Sequence, residues 1–438
     1  MVHTPTPDSA DRSPAAAADS PSATSRRRSP VVVLSRVAIV LACAVGAVYH
    51  LFGIPGLRDV GFYYRIDLDV YRLGGSVFAA GGPLYGSMPP TQSGIGLPFT
   101  YPPLAAVVFS PMSAISLEAA GVVLTALSLV ALFATLVLTL ASIGISPRST
   151  LVWTALAAAA AALTLEPVYS TLDYGQVNIL LMVFVAADCL LKKTPWPRGM
   201  LIGFVAAVKL TPAVFVLFFL LRKDFRAAVT TGLSFVGFGA IGFVVARADS
   251  WQYWTDTLLD SGRIGGPAYP ANQSITGVLA RLGLDPSVRS VLWLLLSAAA
   301  LVLAGVAMWR AFAAGAAALA LFVNALLGLL VSPVSWSHHW VWVAPLLLLV
   351  GVEAYRRRSL VLGAGVVASG AIFVIAPHWR LGHGRWEGTG WPVWDQFLAS
   401  SYVWWAIAVI AAVAVHLGRR RAGEAGSVAG TTHLTTVP

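Results

Sequence analysis

The run Met200-Leu201-Ile202-Gly203-Phe204-Val205-Ala206-Ala207-Val208-Lys209-Leu210-Thr211-Pro212-Ala213-Val214-Phe215-Val216-Leu217-Phe218-Phe219-Leu220-Leu221 decides how the chain threads a membrane. Its length is that of one transmembrane helix, about 20 residues. Lys192, Lys193 and Arg198 precede it, and Arg222-Lys223-Asp224-Phe225-Arg226 follows. Basic clusters mark the cytoplasmic side, so a single crossing would strand one of the two outside. Lys209 and Pro212 interrupt the run near its middle. A lysine is costly in hydrocarbon, and a proline breaks the helical hydrogen-bond ladder. The run is therefore expected to form two short helices, 199–208 and 212–221, folded as a hairpin with both ends cytoplasmic and Lys209 at its tip. Such a break is tolerated only where protein or a polar cavity surrounds it.

The rest of the chain fits that setting. Of 438 residues, 57% are hydrophobic and 11% charged, with mean hydropathy +0.76. Soluble domains carry about 25% charge, so an integral membrane protein of many helices is expected. The net charge of +10 sits in short tracts between apolar runs. That is the pattern of cytoplasmic loops and does not point to nucleic acid. The two cysteines, Cys43 and Cys189, fall inside apolar runs, which excludes a disulfide framework or a cysteine metal site.

Residues 1–30, rich in Ala, Ser, Pro and Thr, read as a disordered cytoplasmic tail ending near Arg26-Arg27-Arg28. Residues 31–52 read as an uncleaved first span, because a long charged region precedes them and no clear small-residue cleavage site follows. The outer loops are then 53–101, 247–287 and 377–400. Residues 104–115 suit an interfacial helix. The other crossings are 117–144, 149–165, 177–191, 227–246, 288–308, 311–331, 340–355, 359–376 and 401–417, with a short cytoplasmic tail at 418–438. This is an all-α polytopic protein with about ten full spans plus the hairpin, or twelve if its halves are counted. Residues 31–417 form a single domain, both termini are cytoplasmic, and there is no strong internal repeat of the kind transporters carry.

In this threading the polar signatures fall on the outer side. Asp67-Leu68-Asp69-Val70-Tyr71 holds two carboxylates in an acid-poor chain. They are either solvated loop acids or helix caps, or one of them is a general base, which needs a carboxylate within hydrogen-bonding reach of the proton it removes. In an extended segment the two would point the same way, and on a helix they would diverge. Asp173-Tyr174-Gly175-Gln176-Val177-Asn178 opens a span as a cap and interface anchor, while Gln176 and Asn178 are suitable ligands for sugar hydroxyls. Lys209 either snorkels to an interface or binds a phosphate whose lipid tail stays in the bilayer. His338-His339 follows Ser335-Trp336. Adjacent histidines do not share a helical face and no acid is close in sequence, so phosphate binding or protonation fits better than metal ligation. Asn272-Gln273-Ser274 groups amides able to hold a saccharide. Trp251, Tyr253, Trp254, Tyr269, Trp379, Trp386, Trp391 and Trp394 serve as interface anchors or sugar-stacking rings.

Taken in order, Asp67-Leu68-Asp69-Val70-Tyr71, Tyr101-Pro102-Pro103, Gly175-Gln176-Val177-Asn178, Lys209-Leu210-Thr211-Pro212, Asn272-Gln273-Ser274 and Ser335-Trp336-Ser337-His338-His339 resemble the polyprenol-phosphate-sugar-dependent glycosyltransferases of glycosyltransferase family 87. These are GT-C enzymes of actinobacterial envelopes, and the resemblance covers roughly residues 60–345. It implies inverting transfer of mannose from polyprenyl-phosphate-mannose to a lipid-linked glycan of the phosphatidylinositol mannoside or lipomannan type. Arabinofuranosyl transfer is the family's alternative, and a lipid-linked-sugar transporter is the non-enzymatic one. The resemblance places the catalytic acid at Asp67, with Asp69 second. Its histidine falls on His338 or His339, which it does not separate, and that histidine is expected to meet the donor phosphate together with Lys209. Tyr71, Tyr101, Gln176, Asn178, Asn272, Gln273 and Trp336 are the expected sugar or acceptor contacts. No cofactor or metal is expected. The expected partners are the polyprenyl-phosphate-sugar, the glycolipid acceptor and the bilayer.

Overall fold

The computed structural model describes residues 29–382 and 388–432. Of the expected tails 1–30 and 418–438, residues 1–28, with Arg26–Arg28, and 433–438 lie outside the described residues, as do His383 and Trp386. Apolar runs can satisfy their backbone groups in lipid only within helices, and every regular element among the described residues is a helix. Two isolated β-bridges, Ile54 with Arg58 and Asn272 with Trp336, are the exceptions. Five helices are long and apolar enough to cross a membrane: Pro30–Phe52, Leu117–Ser142, Phe225–Val245, Pro286–Ala313 and Leu360–Trp379. Counting each of two bent pairs as one crossing gives seven. Their outward faces are apolar, with Leu233 and Val244 of one helix 69% and 82% exposed, as expected where lipid is the solvent. The chain is a polytopic membrane protein.

Three expected crossings are shorter than anticipated. They appear as Asn178–Leu190, Ala317–Val331 and Val343–Arg357, of 13, 15 and 15 residues. At 1.5 Å per residue these reach only about 20–23 Å, short of a hydrocarbon core of about 30 Å. The first two lie inside the bundle, where neighbouring helices rather than lipid surround them. The expected crossing 149–165 bends by 75° into Glu166–Tyr174, so the anticipated outer turn is itself a helix. The last helix, Ser401–Thr432, runs past the boundary expected at 417.

The run from Met200 folds back on itself. Met200–Val208 is α-helical, Lys209 is extended (φ −144°, ψ 119°), and Thr211–Phe215 and Val216–Arg222 form the return arm. The first arm packs on Phe225–Val245 through glycines four residues apart. A Cβ on Gly199 would stand 2.2 Å from the Ala227 carbonyl oxygen, and one on Gly203 2.5 Å from that of Thr231. Phe204 meets Phe238 further along, at 5.0 Å. The first arm thus starts level with the beginning of Phe225–Val245 and runs beside it in the same direction. Only Lys223 and Asp224 separate Arg222 from that helix, so the return arm ends where the first began. The basic residues on both flanks gather at this end, and Lys209 lies at the opposite tip.

The helix Ile66–Ala79 lies against Pro103–Ser113, joined by a second apolar core around Leu68, Tyr71, Phe99 and Phe109. Gly75 permits the approach, since a Cβ there would stand 2.8 Å from the Ser110 Cα.

Gly203→Ala should destabilise the protein by about 1–3 kcal/mol through overpacking. Gly237 has nothing within 4 Å of a would-be Cβ, so Gly237→Ala should be neutral or slightly stabilising. Thermal unfolding of the two variants in detergent checks the contrast.

Candidate active site

Asp67 owes its place to a set of contacts that pin the start of its helix. Arg65, 2% exposed, donates from Nε to the Leu172 carbonyl (3.2 Å), from Nη2 to that of His50 (2.8 Å) and from Nη1 to that of Tyr63 (3.0 Å). Arg58 pairs with Asp173 at 2.7 Å, and His50 Nδ1 lies 3.3 Å from the same carboxylate. Gly175 closes the helix Glu166–Tyr174 in the left-handed conformation (φ 73°, ψ 40°). A Cβ there would stand 2.7 Å from the Leu68 Cβ and 2.9 Å from the Arg65 Cβ. Glycine is therefore required twice at this position, for its dihedral angles and for its lack of a side chain. The first turn of Ile66–Ala79 is pressed onto the turn that carries Gln176.

Because Ile66–Ala79 is a helix, its two acids diverge. Asp69 is buried and accepts from the Tyr64 hydroxyl (3.1 Å) and the Gln92 backbone N–H (2.7 Å), which ties down the loop at 91–96. Asp67 turns toward Gln176 and Lys209. Burial pushes its carboxyl up from 3.8 to about 6, and the Gln176 side chain and the Lys209 charge hold back a larger rise. Such a group is poised to act as a base near neutral pH.

The other polar residues converge on the hairpin tip. Lys209 Nζ donates to Asn178 Oδ1 (3.0 Å) and Gln176 Oε1 (3.4 Å), lies 3.5 Å from His339 Nε2, and sits 5.5 Å from the centre of the Tyr101 ring. The Tyr71 hydroxyl donates to Gln176 Oε1 (2.7 Å) and lies 3.2 Å from that of Tyr101. Among the described residues the ion pairs are Asp173 with Arg58 and His50, and Arg357 with Glu353; Lys209 belongs to none. Its direct contacts are neutral amides, an imidazole and a tyrosine face, with the Asp67 carboxylate near enough to act on it electrostatically. A small cavity of about 60 Å³ opens here. Lys209, Asn178, His339 and Ser335 line its polar part, and residues such as Leu181, Val185, Phe215 and Trp342 its apolar part.

The two histidines separate. His339 faces the cavity and Lys209. His338 is 7% exposed and meets Tyr174 edge-on at 5.1 Å, while its carbonyl accepts from Thr171 Oγ1 (2.7 Å) and Asn178 Nδ2 (3.0 Å).

Asn272 and Gln273 do not join the site. Both are fully buried. Asn272 Oδ1 accepts from the Ser335 N–H (3.0 Å) and the Ser274 hydroxyl (2.9 Å), and its Nδ2 donates to the Pro267 carbonyl (3.0 Å). Gln273 Nε2 donates to the carbonyls of Pro270 (2.7 Å) and Ala399 (2.6 Å). Buried amides must have partners, and these two find theirs in backbone and in the Ser274 hydroxyl. They staple the segment before Ile275 to the Ser335–His339 segment and do not present donors to a saccharide. Trp336 is half-buried on the same staple, against Tyr269 at 5.7 Å.

Sequence reasoning passed over Arg65, Arg58 and Thr171, which position the site without touching the cavity. A signal for Arg65 existed: a second ionisable group two residues from Asp67 in an acid-poor, apolar chain.

The carboxyl of Asp67 is raised on folding, so its ionised form opposes folding. The stability that protonation supplies is complete below the unfolded value near 4 and is lost as pH rises through about 6. Asp67→Asn should therefore stabilise the protein at pH 8, by up to about 3 kcal/mol, with no gain below about pH 4. Unfolding temperatures of both forms across that range check this.

Known proteins resemble this chain in sequence. The family model described as glycosyltransferase family 87 matches residues 99–333. The chain is 43% identical over 404 residues to a Mycolicibacterium smegmatis protein named polyprenol-phosphate-mannose-dependent alpha-(1-2)-phosphatidylinositol mannoside mannosyltransferase, covering 86% of this chain and 91% of the relative. A Mycobacterium tuberculosis protein of the same name is 43% identical over 387 residues, covering 85% and 90%. A second M. tuberculosis protein, named for the pentamannoside, is 33% identical over 308 residues, covering 68% and 70%. No solved structure matches. By the matched family model and by the extent of these identities, the chain belongs to glycosyltransferase family 87.

Proposed function

We propose that this protein is an inverting mannosyltransferase that moves mannose from polyprenyl-phosphate-mannose to a phosphatidylinositol mannoside, forming an α-1,2 linkage. The names of the 43% identical relatives support the donor, acceptor and linkage. One observation carries the chemistry: a lysine without an ion-pair partner lies beside an imidazole, at the polar part of a cavity with apolar walls, next to a carboxylate raised to about 6.

In this reading the donor phosphate sits at Lys209 and His339, and its polyprenyl chain follows the apolar walls. Asp67 removes the proton from an acceptor hydroxyl. The resulting oxygen attacks the anomeric carbon as the bond from that carbon to the phosphate oxygen breaks, and polyprenyl phosphate departs. Lys209 and His339 stabilise the charge that grows on the departing phosphate, and such preorganised groups are a main source of rate enhancement. Tyr71, Tyr101, Gln176 and Asn178 orient the sugar and Lys209. The donor carries its own activated leaving group, so the energy of transfer comes from the donor.

For orientation we adopt the threading of the positive-inside rule. The basic hairpin ends are cytoplasmic, Lys209 and Asp67 lie toward the outer face, both termini are cytoplasmic, and about ten crossings of a GT-C-like architecture surround the hairpin.

Purified protein in detergent, given the donor lipid and the mannoside acceptor, should form new glycoside. A transporter would form none. The turnover rate should rise with pH through about 6 and level off. Asp67→Asn should lower kcat by about 10²- to 10⁴-fold, and Lys209→Met by about 10²- to 10³-fold. Normal turnover by Asp67→Asn would remove the proposed base.

A further inference from the structure

Behind the histidine segment lies a second polar cluster that the reaction scheme leaves unused. Its centre is Glu166, fully buried where the chain bends into Glu166–Tyr174. Oε1 accepts from the hydroxyls of Ser170 (2.7 Å) and Ser337 (2.8 Å) and from the Trp379 indole N–H (3.1 Å). Oε2 accepts from the Tyr402 hydroxyl (3.0 Å). An ionised carboxylate only accepts, at about four lone-pair positions. Four donors from four parts of the chain meet it here.

One of those donors leads directly to the site. Ser337 is fully buried and opens the short 3₁₀ segment Ser337–Trp342 that carries both histidines. The helix that begins at Glu166 grips this segment a second time through Thr171, whose hydroxyl donates to the His338 carbonyl at 2.7 Å. Ser337 is thus held by its side chain and His338 by its backbone. The next residue, His339, stands 3.5 Å from Lys209. The His339 N–H donates to the Trp336 carbonyl (2.8 Å), and the segment is held between the Asn272 staple and the Glu166 anchor.

We propose that Glu166 is a positioning residue for glycosyl transfer, fixing the His339 imidazole beside Lys209 through Ser337. This rests on the reading that His339 acts on the departing phosphate. Glu166 touches neither substrate nor the reacting atoms. Its carboxylate anchors the segment while Asn178 and Lys209 set the opposite boundary, so the imidazole has one place to stand. Displacing such a group by about 1 Å can lower a rate by about 10²-fold.

The test is a double-mutant cycle in purified protein with polyprenyl-phosphate-mannose as the donor. Glu166→Ala, His339→Ala and their combination are compared, with Ser337→Ala replacing Glu166→Ala should the latter not fold. The expected result is that Glu166→Ala lowers kcat by about 10- to 100-fold, with a smaller change in KM for the donor. In the His339→Ala background it should add less than about two-fold, because both changes remove one function. Losses that multiply would overturn the positioning role while leaving the role of His339 intact, since a purely structural defect is indifferent to the imidazole. Full turnover by His339→Ala would instead overturn the assignment of the imidazole, and the positioning role with it.

Discussion

The Lys209 ammonium sits where a helix is interrupted inside an apolar bundle, and the site is organised by the need to accommodate it. A charge in such surroundings must find polar partners. Asn178 and Gln176 supply carbonyl oxygens, Tyr101 a ring face and His339 a ring nitrogen. None of these cancels the charge. The nearby Asp67 carboxylate acts on it electrostatically without closing to an ion pair, so the cation is tolerated and still open to a further anion.

The hairpin and the Asp67 helix are two halves of that arrangement. Gly199 and Gly203 let the first arm lie close to Phe225–Val245, which sets the depth of the tip. Gly175, in its left-handed conformation, lets the Asp67 helix lie against the turn that carries Gln176. Gln176 then links them, accepting from Tyr71 on one side and Lys209 on the other. Base and cation meet at Gln176 because small residues allow backbone to approach backbone at these points.

A hydrogen-bonded frame lies around this centre. Arg65 binds three carbonyls from three segments, Asp188 accepts from the N–H groups of Gly199 and Ile202 at the far end of the hairpin, Asn272 fastens the segment before Ile275 to the histidine segment, and Gln273 fastens it to the Ala399 carbonyl. These polar side chains are engaged almost entirely by backbone. In the sequence they look like ligands, because residue type records that a group can hydrogen-bond and not with what. Asn272 and Gln273 were expected at the site for that reason, and the structure places them behind it.

The sequence by itself determined the membrane setting, the helical class, the reversal at Lys209 and Pro212, and the set of residues able to do phosphate and sugar chemistry. Each follows from composition or from a local rule: apolar length, basic flanks, a proline and a lysine where neither suits an uninterrupted helix. Only the tertiary structure decided that Asp67 and not Asp69 faces the cation, that His339 and not His338 lines the cavity, and that Glu166 lies behind them. Neighbouring residues on a helix or a tight turn point in different directions, and what each one meets is set by elements about a hundred or more positions away. Side-chain direction is therefore a property of packing that residue order alone does not encode locally.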